Sequence, residues 1–338
     1  MTKHGMVEPE TGAASGDVPA ARAVLPLYAT YYGLTEAPFE LTPNPRFLFL
    51  SARQREALSN LRYAFEAGRG FTLILGEAGT GKTTLVRAAL QGLKSGCRYV
   101  VVNNPTLTRQ EFVEYLASAL GLSQHATSSK AGFLTELTRD LATRHAEGIT
   151  TGLIVDEAQS LPHELLEEIR LLGNIETSTA KLLNVVLCGQ PELADRLNEP
   201  SLRQLKQRIA LRCQLGALSL AETAAYVAGR LRIAGGAPAE IFTRGAVVAA
   251  HEAAEGIPRT INVICDNALI GGFANQVKPV SEEIIESVVA DFDLRPAAGD
   301  SRQGSRPVRE LPETTSEAIV PTAPQAGVLQ RRRFSFFK

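Results

Sequence analysis

Gly76-Glu-Ala-Gly-Thr-Gly-Lys-Thr83 stands directly behind the apolar run Phe71-Thr-Leu-Ile-Leu75 and ahead of a helical segment reaching about Gln91. The octapeptide matches GxxxxGK[ST] in full, and it has the strand–loop–helix setting in which that pattern has a mechanism. Its glycines let backbone N–H groups wrap phosphate oxygens, and the N-terminus of the following helix adds positive potential. On this reading Gly76, Glu77, Ala78, Gly79, Thr80, Gly81, Lys82, Thr83 and Thr84 cradle the phosphates of a nucleotide. Lys82 reaches the β- and γ-phosphates, and the Thr83 hydroxyl ligates Mg²⁺. The bland alternative is a glycine-rich turn that happens to contain Lys-Thr.

A second strand candidate, Gly152-Leu-Ile-Val155, runs into Asp156-Glu157. It brings two acids to the C-terminal edge of a sheet, where ligands bind in open α/β folds. Asp156 is then the metal-holding acid, acting through water, and Glu157 polarises the water that attacks the γ-phosphate. Gln190, after the run Leu182–Gly189, is placed to hydrogen-bond the γ-phosphate or that water; a turn amide ahead of Pro191 is the alternative. Arg259 in Gly256-Ile-Pro-Arg259 opens a helix and is placed to fold over the phosphates, against the alternative of a solvated surface Arg. Arg203, Arg208 and Arg212 crowd the approach to the last strand. Arg208 is the first choice, and Arg203 the second, for an Arg offered to a neighbouring subunit's nucleotide. Solvent-facing charge is the other reading of each.

Working outward, near-continuous apolar strands alternate with helices: Tyr99–Asn103, Gly152–Val155, Leu182–Leu187 and Leu211–Leu215 join the strand at 71. That is the signature of a parallel sheet covered on both faces. Ser51 reads as a helix N-cap, and Thr108 with Glu111 and Ser219 with Glu222 as capping boxes. From about 218 only helices follow, at about 220–234, 243–255, 258–272 and 281–291. The division predicted is a flexible tail over 1–24, an α/β core with an ordered Pro- and aromatic-rich lead-in over 25–217, a small all-helical lid over 218–294, and a disordered linker with a basic, aromatic tail over 295–338.

Composition bounds the function. With 338 residues, 44% hydrophobic and 21% charged, the chain has material for about two domains and is not wholly disordered. A net charge of −1 excludes a uniformly basic nucleic-acid coat. Cys97, Cys188, Cys213 and Cys265 stand apart with no zinc spacing, and the five histidines form no paired metal site. No apolar run is long enough for a membrane span and the first 20 residues lack a signal-peptide core, so the expected location is the cytoplasm. Arg331–Lys338, with four cations and three phenylalanines, suits the inner membrane surface or a partner; an unstructured end is the alternative.

At these residues the chain resembles the AAA+ ATPases: P-loop NTPases with a three-layer α/β core, a parallel central sheet and a small helical lid. More narrowly it is similar to the ExeA/GspA-type secretion ATPases, which carry an origin-recognition-like AAA+ module. The likeness covers roughly residues 28–294 and rests on Tyr32-Gly-Leu…Pro38-Phe…Pro43-Asn-Pro-Arg-Phe-Leu, Asp156-Glu-Ala-Gln159, Leu187-Cys-Gly-Gln-Pro-Glu-Leu193, Leu202-Arg-Gln-Leu…Gln207-Arg-Ile and Gly256-Ile-Pro-Arg259. It implies ATP with Mg²⁺ bound between core and lid, the lead-in before Ser51 beside the adenine, and sensor roles for Gln190 and Arg259. It also implies a homo-oligomer, ring or filament, in which Arg208 acts in trans. The expected activity is ATP hydrolysis that remodels or assembles a cell-envelope secretion or export complex. The secretion archetype continues into a membrane span and a cell-wall-binding region, whereas a polar linker and short tail follow here. Similar cores serve polysaccharide export and transposition. An ATP-dependent, DNA-associated regulator of a transposition-type system is therefore the alternative, less favoured by the near-neutral charge.

Overall fold

In the computed structural model the apolar runs become five parallel strands, and the order in which they pair decides where the loops meet. The structure describes residues 25–42, 44–93, 96–103 and 106–293. The expected tails, 1–24 and 295–338, and with them Arg331–Lys338, lie outside the described residues.

The lead-in contains one helical turn, α1 (Ala29–Tyr32), closed by Gly33 in the left-handed region. Ser51 caps α2 (Ala52–Glu66): its hydroxyl accepts from the Gln54 N–H while the Gln54 side chain accepts from the Ser51 N–H. Two of the helix's orphan donors are satisfied that way. β1 (Phe71–Leu75), α3 (Lys82–Gln91), β2 (Cys97–Val102), α4 (Arg109–Leu120), the short α5 (Gln124–Ser128), α6 (Lys130–Ala146), β3 (Thr150–Val155), α7 (His163–Leu172) and β4 (Leu183–Gly189) follow. Two short helices, α8 (Glu192–Arg196) and α9 (Arg203–Lys206), lead to β5 (Ile209–Gln214). The short helices hold too few turns for a 3.6-residue pattern to show in the sequence.

The strand order is β2-β3-β4-β1-β5, parallel throughout. Successive strand residues serve opposite faces. Leu73, Val100, Val102, Leu153, Val155, Val185 and Leu187 pack with Phe112, Leu116, Leu137, Leu141 and Ile169 of α4, α6 and α7. Ile74, Val101, Ile154, Val186 and Cys188 pack with Leu61, Phe65, Leu85 and Val86 of α2 and α3. Burying each large apolar side chain contributes about 1.5–3 kcal/mol, which is why the strands read as unbroken apolar runs.

Beyond β5, Ser219 and Glu222 form the expected box on α10 (Leu220–Ile233). A short α11 (Pro238–Ile241) precedes α12 (Arg244–Ala254), α13 (Pro258–Ala274) and α14 (Glu282–Asp291). The lead-in, grouped with the sheet in the sequence reading, packs with these helices. Tyr28, Tyr32, Leu34, Phe39 and Phe47 share one buried cluster with Tyr226, Leu231, Ile261, Cys265 and Leu269. Both faces of the sheet are already covered, so the lead-in aromatics bury themselves against the helical layer instead. Polar ties fix the path: Tyr28 donates to Asp266 at 2.5 Å, the Thr35 N–H to Ala234 O at 2.8 Å and Arg230 to Pro38 O at 2.7 Å. Among the described residues no helix is long and apolar enough to cross a membrane.

Candidate active site

The parallel order brings the ends of β1, β3 and β4 to one edge. There the Gly76 N–H donates to Gly189 O at 3.1 Å and the Leu215 N–H to Leu75 O at 2.7 Å, so the loop after β1 is pinned between its neighbours. Gly79 and Gly81 have φ of +82° and +92°, a backbone that glycine alone adopts without strain. Thr80 is fully buried and donates to Glu77 O at 2.8 Å, closing the loop on itself. Lys82 is 5% exposed. Its ammonium donates to Gly76 O at 2.8 Å and Glu77 O at 3.2 Å, so a buried cation is held by neutral carbonyls. That arrangement, with the unsatisfied N–H groups of the first turn of α3, favours an anion in the loop.

The Thr83 hydroxyl donates to an Asp156 carboxylate oxygen, joining the loop to the end of β3. One hydroxyl and one carboxylate suit Mg²⁺, which takes its other ligands from phosphate and water. Among the described residues no group of three His, Cys, Asp or Glu gathers to hold a metal unaided. Glu157 stands at φ +50°, left-handed for a residue with a side chain. Its Oε2 accepts from Gln159 Nε2 at 2.6 Å and from Gln190 Nε2 at 3.3 Å. Burial pushes the Glu157 carboxyl up, but the two amide donors and the charge of Lys82 outweigh it, and the group stays below its ordinary range.

A cleft of about 400 Å³ opens over the loop, lined by Gly79, Thr80, Gly81, Lys82, Thr83, Thr84, Asp156, Glu157 and Arg259. Its far wall is Asn44, Phe47, Leu48 and Phe49 of the lead-in with Tyr226, Arg230 and Asn262 of the lid. The Arg259 N–H donates to Gly79 O at 3.3 Å, which places the start of α13 directly on the loop. Gly76, Glu77 and Ala78 form the loop's first half. Gln190 reaches the site through Glu157. Arg203 and Arg208 do not line this cleft: Arg203 is exposed on α9 and Arg208 is half-buried just before β5.

Residues 66–197 match the AAA domain family. The chain carries an AAA+ module. It is 44% identical over 249 residues to General secretion pathway protein A of Aeromonas hydrophila, a match covering 73% of this chain and 45% of that protein. The AAA+ chain thus spans under half the length of that relative. Among solved structures it superposes on the ORC2 protein of Aeropyrum pernix with a TM-score of 0.60 at 18% identity, over 75% of this chain and 71% of that one. It also superposes on Cdc6p of Pyrobaculum aerophilum, with a TM-score of 0.60 at 17% identity, over 75% and 70%. These likenesses are of fold.

Three side chains of the AAA+ site had no role in the sequence reading. Gln159 was legible only as part of the Asp-Glu-Ala-Gln match. Arg230 sits with its guanidinium 5.1 Å from the Phe47 ring centre and 5.0 Å from that of Tyr226. Asn262 accepts from the Tyr226 hydroxyl at 2.8 Å. No local pattern marks the last two; helical position gives both to the lid, and only packing turns them to the cleft.

Proposed function

We propose that this AAA+ module binds ATP with Mg²⁺ in the cleft over residues 76–84 and hydrolyses it, and that turnover remodels or assembles a protein complex of a cell-envelope secretion or export system. The observation that carries the catalytic part is the convergence of Thr83 on Asp156 beside a Glu157 carboxylate held by two amides. The likeness to a secretion-pathway protein supports the client class.

Each residue then has one task. The loop N–H groups and Lys82 hold the phosphates, the ammonium exchanging its carbonyl partners for phosphate oxygens. Thr83 and Asp156 would hold the metal, which would supply neutralisation of the phosphate charge. Both amide donors land on Oε2 of Glu157, which leaves Oε1 to take the proton of a water whose oxygen attacks the γ-phosphorus. The bond to the bridging oxygen breaks, giving ADP and phosphate. Gln190 senses the γ-phosphate, and Arg259 transmits its presence to the lid through Gly79. The chain acts as a nucleotide-dependent homo-oligomer, ring or filament, in which Arg208, with Arg203 as the second choice, reaches the neighbour's nucleotide. It works in the cytoplasm, peripherally at the inner face of the membrane.

Lys82→Ala should abolish nucleotide binding by calorimetry. Glu157→Gln should keep ATP bound and lower phosphate release about 10²–10⁴-fold. Full turnover by Glu157→Gln removes the assignment of the base. DNA affinity that is salt-dependent and appears only with ATP would replace the secretion reading with the DNA-associated one.

A further inference from the structure

We infer that Gln159 is a positioning residue that locks Glu157 to the end of β4, so that Glu157 and Gln190 are aimed as one unit. The inference rests on the reading of Glu157 as the base.

Gln159 lies in the single turn of 3₁₀ helix Ala158–Ser160 behind the left-handed Glu157. A side-chain-bearing residue rarely adopts that region, and the reversal it produces swings Gln159 back towards β4. There the amide bridges two strands. Its Nε2 donates to Glu157 Oε2 at 2.6 Å, and its Oε1 accepts the Gln190 N–H at 3.1 Å. The orientation is forced: a main-chain N–H can only donate, so the amide oxygen faces Gln190 and the NH₂ faces the carboxylate. The main chain of Gln159 is held as well, because Arg196 donates to its carbonyl and to Leu161 O, the latter at 2.9 Å. Gly189 makes room for the bridge; a Cβ there would lie 2.9 Å from Gln159 Oε1 and 2.6 Å from Leu193.

The consequence is a closed circuit. Gln190 touches Gln159 through its backbone and Glu157 through its side chain, while Gln159 touches both. A displacement of Gln190 therefore moves the carboxylate.

Gln159→Glu tests this with almost no change of volume. The new carboxylate still accepts from Gln190 but faces Glu157 with an oxygen instead of a donor. The expected result is an ATP Kd and KM within about twofold of wild type and a kcat lower by roughly 10–100-fold. In the Glu157→Gln background the same substitution should cost nothing further, because the two act as a unit. Gln159→Leu, which removes both contacts, should show the same split between kcat and KM, with a melting temperature reported alongside. Wild-type kcat in both Gln159 variants, with Glu157→Gln inactive, overturns the positioning role and leaves the base standing. An additional loss in the double variant also overturns it. Unimpaired Glu157→Gln overturns the base and this inference together.

Discussion

Gly79 meets two demands that no other residue satisfies together. Its φ is +82°, and a Cβ would sit 2.6 Å from Arg259 Cβ and 3.1 Å from Ile257 Cγ2. Gly79→Ala thus adds roughly 1–2 kcal/mol of backbone strain and drives the start of α13 off the loop. We expect a nucleotide Kd at least about tenfold weaker, the equivalent of 1.4 kcal/mol, read by calorimetry. As the proposed base, Glu157 gives an acid-side pH response. On that reading its ionised form is the active one and its titration lies below the ordinary carboxylate range, so activity from this group is lost only as pH falls through that low value. Between pH 8 and about pH 5 the kcat profile should show no acid limb from Glu157. At this scale the shape of the candidate phosphate loop was legible because its requirements are local: glycines for the backbone, with Lys and Thr at fixed offsets where α3 begins. Gln159 and Arg230 were not, because their roles depend on which strand and which ring fold back beside them.

Glu168 in α7 is the buried carboxylate that ties three helices. It is 1% exposed, while its partners Arg109 at the start of α4 and Lys130 at the start of α6 have half-exposed side chains. Arg109 Nε and Lys130 Nζ reach the same Oε2, at 2.6 and 2.9 Å. The cations keep contact with water and the anion does not, so the penalty for a broken cluster falls on Glu168. Arg109→Ala with Lys130→Ala should lose about 3–5 kcal/mol in urea unfolding, more than the sum of the single variants, because either cation alone still neutralises the acid. Ser51→Ala at the cap of α2 should cost about 1 kcal/mol in the same assay. The caps and strands were readable at this scale, since Ser51, the Thr108–Glu111 and Ser219–Glu222 boxes and the apolar runs act within a few residues. The strand order was not, because it is set by pairing between distant segments such as Leu73 with Leu187.

Over the whole molecule the decisive contact is between the lead-in and the helical layer. Phe39 is 1% exposed and meets Phe242 edge-on at 6.2 Å between ring centres, yet it does not line the cleft. Phe39→Ala should destabilise the protein by about 3–5 kcal/mol, measured by denaturant titration, and weaken nucleotide binding by loosening Phe47, Leu48 and Phe49 beside the cleft. This pairing was invisible in the sequence: Tyr28, Tyr32 and Phe39 announce an ordered segment but not the surface that receives them. It also imposes an order of events on the ribosome. Tyr28 and its partner Asp266 are 238 positions apart. At roughly 5–20 residues per second the first aromatics wait about 10–50 s for the helices that cover them. Through that interval the rings of Tyr28, Tyr32 and Phe39 lack the helices that bury them in the finished fold.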